Sequence, residues 1–200
     1  MKSNPLDVII IAGAPGTGKS QAARCLTSYF RDGVKVEVDV LRSMVISVDW
    51  KNQREHVDLL QVAARLTHEF HVFGFRPVIV VDTFSGDKIH GFLETLRRLN
   101  EALIIRIFGL HVSDEALLKR LKERPADEFK DFGISKKLNA DVLRHGHRGG
   151  QLVDTSELTP EETAGEIYKR LILTGSAWPP TGPGSMIDTA LRCRMHKSPR

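Results

Sequence analysis

The stretch Gly13-Ala14-Pro15-Gly16-Thr17-Gly18-Lys19-Ser20 constrains this chain more than any other. It satisfies G-x-x-x-x-G-K-[ST] at every fixed position, and its surroundings suit the pattern. Leu6 to Ala12 is a short apolar run behind Pro5, which reads as a buried parallel strand. Gln21 to Phe30 reads as a helix with Ala22, Cys25, Leu26 and Tyr29 on one stripe. A strand, a glycine-rich turn and a helix make a phosphate cradle: the glycines let backbone N–H groups close in, and the helix N-terminus favours an anion. The pattern predicts a nucleoside triphosphate held by Gly13, Ala14, Pro15, Gly16, Thr17 and Gly18. Lys19 is expected on the β- and γ-phosphates, and the Ser20 hydroxyl on Mg²⁺.

Further along, Val34 to Asp39 alternates with period two as a second strand, with Asp39 at its C-terminal end and Arg42 three residues on. The C-terminal ends of parallel strands are where ligands bind, so both are site candidates. Asn52 to Phe73 predicts a long helix with Val57, Leu60, Ala64 and Phe70 near one stripe. Its His56, His68 and His71 are expected to be solvated or packed. Val78 to Val81 is an uninterrupted β-branched run ending in Asp82, a carboxylate placed to face a metal and its waters. A helix over 87–99 and a strand from Ala102 to Phe108 follow, with Arg106 unexplained inside the strand. Ser113 then caps a helix that ends before Pro125 and carries Arg120 and Arg124 on one face.

Residues 125–150 are polar, with a short helix expected over Ser135 to His145. They read as a mobile flap bearing Arg144 and Arg148. Asp141, His145 and His147 do not add up to a zinc site. Gln151 to Asp154 is a fifth strand, followed by Thr155 and Ser156. Thr159-Pro160-Glu161-Glu162 announces a helix with a capping box and an inward stripe of Ile167, Leu171 and Ile172. The segment 176–200 is rich in Pro, Gly and Ser and then basic, so it reads as a flexible extension with Trp178 and Leu191 as docking points.

The net charge of +4 invites a nucleic-acid partner, but the extension carries +3 of it and the preceding residues only +1. Nucleic acid is therefore not favoured. No apolar run nears the roughly 18 residues of a membrane span. Cys25 and Cys193 stand in dissimilar settings, so reduced thiols and a cytoplasmic address are expected, as a monomer or homodimer.

Taken in order, the phosphate loop, Asp39 with Arg42, Val81-Asp82, the Arg120/Arg124 helix with its flap, and Asp154-Thr155 resemble the small P-loop kinases. The likeness spans about Val8 to Leu173. It is nearest to the group holding chloramphenicol phosphotransferase, zeta-toxin-like kinases and polynucleotide 5′-hydroxyl kinases, whose members often go by AAA-family ATPase or ATP-binding protein. The resemblance implies an α/β, three-layer P-loop nucleoside triphosphate hydrolase fold: a five-stranded parallel sheet with helices on both faces and a small lid. It implies a kinase domain over 1–175 that uses ATP and Mg²⁺ (on Ser20 and Asp82) to phosphorylate a hydroxyl of a small molecule, nucleoside or nucleotide. Asp39 would take the hydroxyl proton, and Arg42 would hold the acceptor. Lys19, Arg120 and Arg124 would embrace phosphates, and Asp154 and Thr155 would lie against adenine. A plain ATPase or nucleotide switch and a polynucleotide 5′-hydroxyl kinase are the alternative readings.

Overall fold

The computed structural model describes residues 6–145 and 150–173. Its strands are β1 (Val8–Gly13), β2 (Val34–Glu37), β3 (Val78–Asp82), β4 (Ile105–His111) and β5 (Gln151–Asp154). Its helices are α1 (Lys19–Thr27), α2 (Val38–Ser43), α3 (Gln53–Val72), α4 (Lys88–Leu99), α5 (Asp114–Glu123), α6 (Phe132–His145) and α7 (Pro160–Leu173). The five strands form one sheet in the order β2-β3-β1-β4-β5, with every pairing parallel. Parallel neighbours need long crossovers, and the helices supply them.

Alternation along the strands divides the core in two. Ile9, Ile11, Ile79, Val81, Phe108, Leu110 and Val153 pack against α1 and α7 on one face. Val8, Ile10, Val36, Val78 and Val80 pack against α3 and α4 on the other. Because both faces are covered, β1 and β3 are buried throughout, which is why they read as unbroken apolar runs. This is the expected three-layer α/β arrangement. A smaller cluster of Val112, Leu117 and Leu121 with Phe132 joins α5 to α6 above the sheet.

Several local expectations need correction. The second strand ends at Glu37, and Asp39 stands in the first turn of α2, because Val38 turns inward as a fully buried side chain and the chain goes helical there. The fourth strand begins at Ile105: Asn100 Oδ1 accepts the Ala102 amide and holds the preceding residues in a turn. Arg106 therefore lies near the strand's entry, partly exposed, away from the C-terminal ends of the strands. On α3 the buried stripe is His56, Leu60, Ala63, Ala64 and Thr67, and Val57 is exposed. On α7, Ile172 is exposed while Ile167 and Leu171 are buried. Cys25 is buried and is not a free thiol, against the reduced state expected for it. His147, Arg148 and the extension with Trp178, Leu191 and Cys193 lie outside the described residues.

Within the flap, α6 makes defined contacts with the rest of the fold. The helix starts three residues earlier than expected and is pinned by Asn139. That side chain, 4% exposed, accepts the Val112 amide at 3.1 Å and donates to the Val112 carbonyl at 2.7 Å. Asp141 accepts the Gly86 amide at 2.8 Å. The helix thus bridges the loop after β3 and the loop after β4. No helix among the described residues is long and apolar enough to cross a membrane.

Candidate active site

The chain crosses from β1 into α1 through a loop with two left-handed glycines, Gly16 at φ +91° and Gly18 at φ +86°. A Cβ on Gly16 would stand 2.7 Å from Leu117 Cδ1, so both the turn and its packing on α5 demand glycine. Gly18 is the N-cap of α1 and offers no side chain to its amides. Thr17, fully buried, closes the loop internally: its amide and its hydroxyl both donate to the Ala14 carbonyl, at 3.2 and 2.9 Å. Gly13 and Ala14 are buried beneath, with Pro15 half-buried at the turn. The amides of Gly16, Gly18, Lys19 and Ser20 take no part in the loop's own hydrogen bonds. An uncapped helix N-terminus with converging free amides is a ready anion site.

Two candidate side chains project from this loop. The Lys19 ammonium has no hydrogen-bond or ion-pair partner among the described residues. Burial pushes its pKa down, opposed through space by Asp39 and Asp82 and assisted by Arg124. The Ser20 hydroxyl is likewise without a hydrogen bond among the described residues. The cleft above, of about 910 Å³, is walled by the phosphate loop, Glu37, Arg120, Arg124, Leu158 and Pro160.

On the β3 side, Asp82 is 3% exposed and has both oxygens engaged: Oδ1 lies 3.1 Å from His56 Nε2, and Oδ2 accepts the Phe84 amide at 2.8 Å. Phe84 reaches that position through a left-handed backbone, φ 48°. Lys88 Nζ lies 3.1 Å from His56 Nδ1; an ammonium only donates, so Nδ1 accepts and Nε2 carries the proton given to Asp82. Burial raises the pKa of Asp82, but it is outweighed by the His56 hydrogen bond and charge, the Phe84 amide and Lys19, and the net displacement is downward.

Asp39 shows the opposite behaviour. Its carboxyl is open to solvent, yet it stands in a concave wall. Desolvation there and the Asp82 charge raise its pKa, against the pull of Lys19, Arg42 and His56. Two nearby carboxylates are thus pushed apart, one held as an anion and one made a better proton acceptor, the pattern that separates charge-holder from base. Arg42, 5% exposed, donates to the Asp49 carbonyl at 3.2 Å and lies beneath the Trp50 ring, 4.6 Å from its centroid.

The predicted arginines take unequal places. Arg120 is committed to the loop after β5: Nη1 donates to Thr155 Oγ1 at 3.1 Å, and Nη2 reaches the carbonyls of Thr155, Ser156 and Leu158. Thr155 Oγ1 lies 3.0 Å from the Thr17 carbonyl and 3.1 Å from that of His111, so this loop is stitched to the phosphate loop. Asp154 folds back on Ser156, accepting its amide at 2.9 Å and its hydroxyl at 2.6 Å, and those bonds lower its pKa. Arg124, which ends α5, pairs with Glu128 at 2.6 Å and donates to the Phe129 carbonyl at 2.9 Å. Arg144 is exposed on α6.

Sequence reasoning missed His56, Lys88 and Asn139 as members of this assembly. His56 was detectable in part, since its spacing from Leu60, Ala64 and Thr67 places it on the buried stripe of α3. Asn139 repeats that situation between Ser135 and Val142 on α6. Nothing in the sequence around Lys88 distinguishes it from a surface lysine.

A family model for chloramphenicol phosphotransferase-like protein matches residues 6–172. Among solved structures, the tunicamycin resistance protein of Deinococcus radiodurans superposes with a TM-score of 0.65 at 18% identity, over 83% of this chain and 95% of that one. A sugar kinase from Janibacter sp. HTCC2649 gives 0.63 at 14% identity, over 86% and 98%. The shikimate kinase of Acinetobacter baumannii gives 0.57 at 16% identity, over 86% and 96%. At these identities the likeness is one of fold.

Proposed function

The chain belongs to the chloramphenicol phosphotransferase-like family, and from that premise we propose that it moves the γ-phosphate of ATP to a hydroxyl group of a small molecule or nucleoside. The observation that carries this reading is the juxtaposition of an unpaired lysine over an open anion cradle with a carboxylate of raised pKa, Asp39, within electrostatic reach of it. A nucleotide-binding loop needs the cradle; only transfer to an acceptor needs the base.

In this reading the acceptor hydroxyl is oriented by Asp39 and attacks the γ-phosphorus. The bond to the β–γ bridging oxygen breaks, ADP leaves, and the hydroxyl proton passes to the Asp39 carboxylate. Lys19 and the loop amides balance charge on the transferred group, work that is electrostatic and positional. A hydroxyl without a hydrogen bond and a neighbouring carboxylate are hard oxygen donors that suit Mg²⁺. Ser20 would hold the ion directly, and Asp82, with one bond on each oxygen, would have its remaining lone pairs for the ion's waters. The ion would neutralise charge on the β- and γ-phosphates. Arg120 would act by holding the 155–158 loop, on which adenine would lie, and the α5–α6 region would exclude water.

The test is a screen with γ-labelled ATP across small alcohols, sugars, nucleosides and 5′-hydroxyl oligonucleotides. Label moving to an acceptor in a manner that requires Lys19 and Asp39 supports the proposal. Label released only as inorganic phosphate, at a rate no acceptor changes, rejects it in favour of an ATPase or nucleotide switch.

A further inference from the structure

Lys88 stands where a lysine is least welcome. It opens α4, a helix with no acidic residue in its first turn, at the end where the helix dipole disfavours a cation. It is nonetheless half-buried and held through all three of its N–H bonds. Nζ donates to Gln53 Oε1 at 2.7 Å, to His56 Nδ1 at 3.1 Å and to Ser85 Oγ at 3.3 Å. None of these acceptors is a carboxylate, so the ammonium is placed by neutral groups and aimed at one edge of the His56 ring.

The opposite edge of that ring carries Nε2, 3.1 Å from Asp82 Oδ1. His56 is 6% exposed and Asp82 3%, so neither can turn to water for a replacement partner. A neutral imidazole carries its proton on one nitrogen or the other. A bare Nε2 would set its lone pair against a carboxylate lone pair, and Asp82 would lose its donor. With the ammonium on Nδ1, the proton belongs on Nε2, because the hydrogen bond at one ring nitrogen decides the state of the other. Lys88, His56 and Asp82 thus form a chain of hydrogen bonds that runs one way, from ammonium to carboxylate. The Phe84 amide holds the second carboxylate oxygen at 2.8 Å. The anchors of this chain are local. Asn52 Oδ1 caps α3 one turn before His56, accepting the Arg54 and Glu55 amides at 3.1 Å each, and the left-handed Phe84 turns the backbone between Asp82 and Lys88.

Resting on the reading of Ser20 and Asp82 as the Mg²⁺ site, we propose that Lys88 is a positioning residue for the divalent cation. Acting through His56, it fixes the donor on Asp82 Oδ1 and so keeps that carboxylate turned to offer its remaining lone pairs to the ion's waters. The sign of its effect separates this role from charge alone. A lysine two hydrogen bonds from a divalent-cation site repels the ion, so on electrostatic grounds its removal tightens metal binding. Loss of the positioning chain weakens it instead, by about tenfold, the lower end of what groups that orient a metal's ligands contribute.

The test uses the full chain with ADP and Mn²⁺ as the probe, free Mn²⁺ being counted by electron paramagnetic resonance and Mg²⁺ measured by competition. Lys88→Met should weaken both ions about tenfold while metal-free ADP binding stays unchanged. Lys88→Arg, which still donates, should recover most of the loss. In a His56→Gln background the side-chain amide can donate to Asp82 with no tautomer to choose, so adding Lys88→Met should weaken the ions no further. The parent supplies an arm that needs no Lys88 variant, since nitrogen-15 spectra distinguish a protonated ring nitrogen from a bare one. The His56 signals, assigned as those missing in His56→Gln, should show Nε2 protonated and Nδ1 bare. If Lys88→Met does not fold, Gln53→Ala removes the ammonium's closest acceptor from an exposed position and should weaken the ions in the same direction. Tighter or unchanged metal binding in the folded variant, equal weakening in the His56→Gln background, or a His56 proton on Nδ1 would each overturn the proposal alone. A parent that binds neither ion in the presence of ADP would overturn the Mg²⁺ reading and this inference with it.

Discussion

Replacing Asp39 by Asn separates a catalytic carboxylate from a merely structural one, because the structure assigns the two roles opposite consequences. The side chain makes no hydrogen bond among the described residues, so the amide forfeits no contact of its own. Asp39 does occupy the first turn of α2, where a negative charge is worth about 0.3–1 kcal/mol. Against that, desolvation and Asp82 raise its pKa, so its ionisation opposes folding. That penalty is absent below the unfolded carboxylate range, near pH 4, and grows as pH rises through the raised folded value. Because the carboxyl is open to solvent, screening keeps the relief small. The two contributions nearly cancel. At pH 7 the variant should lie within about 1 kcal/mol of the parent, or roughly 2–4 °C in melting temperature. Below pH 4 the electrostatic relief should disappear, leaving the variant no more stable than the parent.

Activity should behave quite differently. Loss of a general base costs on the order of 10²–10⁴ in rate. Single-turnover transfer of γ-label to the best acceptor measures that loss, and titration with a fluorescent ATP analogue should show nucleotide affinity within about threefold of the parent. Transfer at the parental rate would refute the base assignment and move it to Asp82 or to a carboxylate near α6. A large fall in stability would show that Asp39 supports the fold in a way its contacts do not reveal.

Other substitutions probe the rest of the assembly. Lys19→Ala should abolish labelled transfer while the thermal melt stays at or slightly above the parental value, since an unpaired, partly buried ammonium is removed; parental turnover would overturn the phosphate-loop reading. His56→Ala strips Asp82 of one of its bonds in a buried setting and should cost about 2–4 kcal/mol in chemical denaturation. The lowered Asp82 pKa stabilises the fold above the carboxylate's unfolded value and is lost as pH falls through the folded one. The acid-unfolding midpoint of His56→Ala should therefore move to higher pH, and an unchanged midpoint would show that the pair contributes little. Arg120→Ala should raise the KM for ATP several-fold through the freed 155–158 loop and lower stability by about 1–3 kcal/mol. A fall in kcat alone would instead place its guanidinium on the transferred phosphate.

Much of the architecture was readable because both faces of the sheet are covered. Val78 to Val81 and Leu6 to Ala12 could be little else than buried parallel strands, and the capping box at Thr159 and Glu162 forms as its spacing demands, at 2.8 and 3.2 Å. Local pattern failed where a distant partner decides. Asp39 looked like the end of an alternating strand, yet burial of Val38 bends the chain into α2 first. Arg120 looked like half of an Arg pair with Arg124, but its partners lie 35–38 residues later, so it fastens a loop while Arg124 alone is set against Glu128. His56 sits on a legible stripe, but the reason for a histidine there is a carboxylate 26 residues downstream. The polar composition of 125–150 gave no sign that one buried Asn, satisfying both backbone groups of Val112, docks α6.

The stitch between Thr155 and Thr17 spans 138 positions, and that separation has a bearing on how the protein is made. The glycine-rich turn and its helix are translated more than a hundred residues ahead of β5 and its following loop, the wall that steadies them. A nascent chain halted before β5 would own every residue of the cradle and still lack the carbonyl-to-hydroxyl link, the Arg120 brace and the edge strand beneath them. The cradle is thus made early and completed late, and on the kinase reading tight nucleotide retention should appear only once the segment carrying Thr155 has cleared the exit tunnel.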